Sequence, residues 1–159
     1  MNRRKLYFYI SLVLTIGVVI LLVTGSPLLT MAIDSNKSIP LGTIITWIGM
    51  ISFPLAIYWG TEALRNPSRK LYKFLSGLLK IIILLGVLWV PISYVLAGNL
   101  SFSFTEKETF QGGQTAMRWF WYLSYGVGIG GLLILFTYWV SLLFRKSYHH
   151  SVKKANGKH

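Results

Sequence analysis

Few residues in this chain could carry a reaction, and they lie far apart. Cysteine is absent, which removes disulfides, thiolate metal sites and thiol nucleophiles together. The histidines, His149, His150 and His159, all fall in the C-terminal tail, whereas a haem or metal site in a bundle would need ligands on facing helices. Asp34, Glu62, Glu106 and Glu108 are the only acidic residues, and none is paired as acid and base about one substrate. No catalytic, metal or cofactor-binding residue is assigned, no cofactor is expected, and the pattern does not suggest an enzyme.

Two charged positions remain. Lys80 is the one charge inside a long apolar run. Its stem can lie along a helix while the ammonium reaches lipid headgroups, since no apolar run holds a carboxylate to pair with it. The functional alternative makes Lys80, with Arg69, Lys70 and Lys73, a contact for an anionic lipid or solute. Glu62 precedes Arg65 by three residues, a spacing that permits a local helical ion pair.

The elements that hold these residues follow from composition. Of 159 residues 53% are apolar and 13% charged, and the mean hydropathy is +0.56. The apolar residues gather in blocks of the length a bilayer demands, about 20 residues. They predict an all-α integral membrane protein, a single membrane domain over 1–159. Its four transmembrane helices, at about 6–24, 41–60, 78–97 and 119–144, would pack as a bundle. The first apolar run, Leu6 to Val23, is 18 residues long and exceeds the 7–15 of a signal-peptide core, so a retained anchor is expected. A basic tail over 145–159 is expected to lose order beyond its first turn.

Charge placement gives the orientation. Twelve of the 16 lysines and arginines lie in the N-terminus, the second loop and the tail, against three in the other two loops. Basic loops stay in the cytoplasm, so both termini are expected there, in a plasma (inner) membrane. The pI near 10.1 is then a topology signal, and nucleic acid is not an expected partner.

Small residues mark where helices could touch. Gly42, Thr46, Gly49, Ala56 and Gly60 recur at steps of four and three once Phe53 is included, which keeps them on one stripe. The fourth span has two such faces, Ser124, Gly128 and Gly131 on one, Gly126, Gly130, Thr137 and Ser141 on the other. Small residues let backbones approach closely where no hydrophobic effect joins helices. By the same criterion the first and third spans look like ordinary apolar spans. Pro54 and Pro91 interrupt two of the spans and should kink them.

In the loop before the fourth span, Leu100, Phe102 and Phe104 alternate with Ser101, Ser103 and Thr105. That period suits a half-buried strand, and Thr109-Phe110-Gln111 could return as its partner in a short β-hairpin. Phe102, Phe104 and Phe110 would then offer a partner contact. Packing faces without a chemical constellation lead to the expected function: a non-catalytic subunit or accessory and assembly factor of a larger membrane complex. Its expected partners are the lipid bilayer and other membrane subunits or further copies of itself. The alternative is a small channel or carrier for a neutral or anionic solute.

Overall fold

The computed structural model describes residues 3–33, 39–100 and 110–156, with residues 145–156 described by backbone alone. Every regular element among them is a helix: α1 (Arg3–Val23), α2 (Leu41–Gly60), the single turn α3 (Glu62–Arg65), α4 (Lys70–Val87), α5 (Trp89–Ala97) and α6 (Gly113–Asn156). A short 3-10 turn over Pro27–Leu29 follows α1. Three helical stretches, Arg3–Val23, Leu41–Gly60 and Gly113–Phe144, are long and apolar enough to cross a membrane. α4 and α5 meet that standard only together, across a bend of 53°.

α2 is the hub, packed against α1, α4, α5 and α6. Its small residues make the close approaches. A Cβ at Gly49 would stand 2.6 Å from Val18 Cγ1, and one at Gly60 2.7 Å from Phe8 Cε2. α1 therefore lies against the glycine stripe of α2, which is its main neighbour among the described elements. Thr15 Oγ1 donates to the Ser11 carbonyl at 2.7 Å and lies 3.1 Å from Ser52 Oγ, a polar tie between the two helices.

The crossing of α2 and α4 depends on two prolines. Proline has no N–H to give the carbonyl four residues back. Pro91 thus leaves the Val87 carbonyl free of its helical partner, and Trp47 Nε1 of α2 donates to it at 3.0 Å. Pro54, buried within α2, likewise leaves the Met50 carbonyl without a donor. That carbonyl faces Gly86 of α4, where any Cβ would collide with it. α2 runs unbroken past Pro54, whereas the helix at Pro91 breaks at Leu88.

Four features differ from the sequence-based expectations. The third apolar helix starts at Lys70 and not at 78, because Tyr72, Leu75, Ser76 and Leu79 form a buried stripe that holds α4 on the bundle while its lysines face outward. It is also not one straight apolar helix, since it meets α5 at a bend of 53°, and its Gly86 faces the backbone of α2. α6 continues to Asn156 where an unstructured tail was expected. No proline or glycine interrupts 132–156, and a helix already nucleated propagates at little cost. No strand occurs among the described residues, and most of the expected hairpin, 101–109, lies outside them.

Gly86 and Gly77 separate packing from propensity. Gly86→Val is expected to lower stability by about 1–3 kcal/mol, the usual cost of overpacking. Gly77, exposed with nothing near its would-be Cβ, is expected to gain about 1 kcal/mol as Gly77→Ala. Thermal unfolding in detergent reads both.

Candidate functional site

The structure divides the small-residue faces between internal seams and open surface. On α2, Gly42 and Ala56 are buried, and Gly49 and Gly60 seat α1. Thr46 is half-buried, and its Oγ1 is shut from solvent with no partner among the described residues. That stripe is taken up inside the chain.

On α6 the first face is also internal. Trp89 Nε1 donates to Ser124 Oγ at 2.8 Å, and Ser124 donates to the Phe120 carbonyl one turn back at 2.8 Å. The Trp89 and Phe120 rings lie 5.8 Å apart. Gly131 admits Phe53, whose Cε1 would stand 2.6 Å from an added Cβ. Gly128, half-buried, has nothing within 4 Å of that position.

The second face of α6 is split. Gly130 meets Ile82 of α4, 2.9 Å from a would-be Cβ, and Ser141 Oγ lies 3.2 Å from Tyr72 Oη. Both positions hold α4. Thr137 lines a groove of about 370 Å³ between α4 and α6, walled by Leu71, Phe74, Leu78 and Leu133. Gly126, one turn from Gly130, is exposed, with nothing within 4 Å of its would-be Cβ. This stretch of α6, from Gly126 along the groove, is the part of the predicted packing surface left uncovered.

The charged candidates fall on surfaces. Lys70, Lys73 and Lys80 are exposed on α4 and, at offsets of three and seven, share one line with Gly77. Lys80 stands about 10 Å along the helix from Lys73. Arg69 is exposed just before the helix. Arg65 is turned away from the expected ion pair. Its Nη1 donates to the Trp59 carbonyl near the end of α2 at 3.1 Å, while its Nε is buried without a partner among the described residues.

Phe102 and Phe104 lie outside the described residues. Phe110 packs inward, its ring 5.3 Å from that of Phe120, in a cluster around Trp89 and Ala97. Thr43 Oγ1 donates to the Leu100 carbonyl at 2.7 Å, fastening the start of this loop to α2. Sequence reasoning missed Gly86 and the two indole bonds, of which only that of Trp89 is buried. Gly86 lies five residues before Pro91, which is a usable signal for the former. The pairing of Trp89 with Ser124 spans 35 positions and has no local signature.

Fold and surfaces together define a helical protein with several apolar helices compatible with membrane spans. The chain matches no protein-family model, no curated protein and no solved structure.

The indole bond is testable by a double-mutant cycle. Ser124→Ala leaves a buried indole N–H unpaired and is expected to cost about 1–3 kcal/mol. Combining it with Trp89→Phe should fall short of the sum of the single changes, because one interaction is lost twice. Additive losses in thermal unfolding would show that the bond contributes nothing.

Proposed function

We propose that this chain is a four-span integral membrane protein with both termini in the cytoplasm of a plasma (inner) membrane. It serves there as a non-catalytic subunit or accessory and assembly factor of a larger membrane complex. α4 and α5 would form the third span, bent at Leu88. The twelve-to-three distribution of basic residues supports the orientation through the positive-inside rule.

The observation that carries the partner role is the uncovered stretch of α6 at Gly126 beside the α4–α6 groove. An exposed glycine next to an apolar groove suits close approach by another helix. The occupant would be an apolar helix of a partner subunit or of a second copy. Carrier activity for a neutral or anionic solute is the second reading. Beyond the broken α4–α5 span, three buried hydroxyls without partners among the described residues, Thr46, Ser76 and Ser93, favour it.

Several measurements test these readings. Gly126→Ile is expected to reduce co-purification of a partner from native membranes several-fold without shifting thermal unfolding, whereas Gly130→Ile should destabilise the chain itself. A monodisperse, partner-free wild-type monomer in native mass spectrometry would overturn the subunit role, and solute flux from liposomes holding that monomer would favour the carrier. For topology, reporter fusions after Asn36 and Glu108 should read outside, and those after Pro67 and Lys153 inside.

A further inference from the structure

At the end of the bundle where α1 begins and α2 ends, the structure forms a cleft of about 410 Å³. Arg4 and Lys5 of α1 line one side, and Trp59, Glu62 and Arg65 the other, with Tyr9 beside them. Three cations against one carboxylate give it a net positive charge. Arg65 is held in place because Nη1 is bonded to the Trp59 carbonyl. Its Nε–H is shut from solvent, which leaves the terminal Nη groups as the donors for an acceptor in the cleft.

We propose that this cleft binds the phosphate of an anionic phospholipid with a hydroxyl-bearing headgroup. A guanidinium fixed at one nitrogen offers the remaining N–H groups of its Nη1–Nη2 end as a fork that phosphate oxygens accept. Arg4 and Lys5 supply further positive charge. Glu62 accepts from headgroup hydroxyls and disfavours a second negative charge. Trp59 and Tyr9 are the amphipathic rings that settle at headgroup level, and the Trp59 ring lies tilted against that of Tyr7 at 5.2 Å between ring centres. The proposal rests on the membrane-spanning part of the proposed function and not on the partner role.

Native mass spectrometry of the full chain, in micelles holding phosphatidylglycerol and phosphatidylcholine, tests it. One phosphatidylglycerol should be retained in preference. Arg65→Lys keeps the charge but replaces the guanidinium fork by a single ammonium, and it should weaken retention about tenfold, as expected for one charged hydrogen bond. The double change Arg4→Gln with Lys5→Gln, at exposed positions away from the Trp59 carbonyl, should do the same, while Lys73→Gln on α4 should not. Equal retention of both lipids, indifference to both cleft variants, or an equal loss in Lys73→Gln would overturn the site. Displacement by millimolar inorganic phosphate would overturn the lipid as its source. Because retention is read in micelles, it does not depend on which way the chain faces, so a failed topology assay and a failed lipid site remain distinct results.

Discussion

Two carbonyl groups without helical donors organise the centre of this molecule. In an apolar setting a backbone oxygen has no water to turn to, so its partner must come from the protein. Pro91 frees the Val87 carbonyl, and Trp47 of α2 answers it from across the helix pair. Pro54 frees the Met50 carbonyl, and Gly86 lets α4 come close enough to cover it. Each helix therefore compensates for a proline, one with an indole and the other with an absent side chain. The bend at Leu88 follows from the same geometry, since a helix missing that bond opens on the proline side.

With the α2–α4 crossing in place, the rest of the bundle has limited freedom. The bend directs α5 toward α6, where Trp89 reaches Ser124 and stacks near Phe120, and Phe110 closes the end of the cluster. Below it a second cluster of Ile57, Leu79, Ile82, Val127 and Ile134 joins α2, α4 and α6. α1 remains outside this core, held mainly along α2 by the glycine stripe and the Thr15–Ser52 tie. The molecule is thus a core of α2, the α4–α5 pair and α6 with a peripheral helix. The open surfaces lie where that arrangement leaves gaps, along α6 at Gly126 and between α1 and α3.

The basic residues divide in a comparable way. Lys70, Lys73 and Lys80 share an outward line on α4, where long stems can lie along the helix with their charges kept in a polar layer. Arg65 behaves differently because it closes the end of α2, which needs donors for its terminal carbonyls. Fixing one nitrogen there leaves another buried, and the neighbouring cations of α1 are brought to the same place by the seat of Phe8 on Gly60. A residue recruited for capping becomes part of a charged cleft.

The sequence by itself determined the helical class and the positions of the apolar helices, because long apolar runs and helical period are properties of neighbouring residues. It also marked Gly49, Gly60, Gly130 and Gly131 as packing positions, since a missing side chain is visible without coordinates. Only the tertiary structure decided which neighbour each glycine meets, that Gly126 meets none, and that Arg65 caps α2 instead of pairing with Glu62. The start of α4 at Lys70 and its break at Leu88 were likewise decided by contacts, with one buried stripe sufficient to hold a basic helix on the bundle. The bonds from Trp47 to Val87 and from Trp89 to Ser124 join residues 40 and 35 positions apart. No local pattern encodes such pairs, because they exist only once two prolines, a glycine and the helix crossing have brought the partners together.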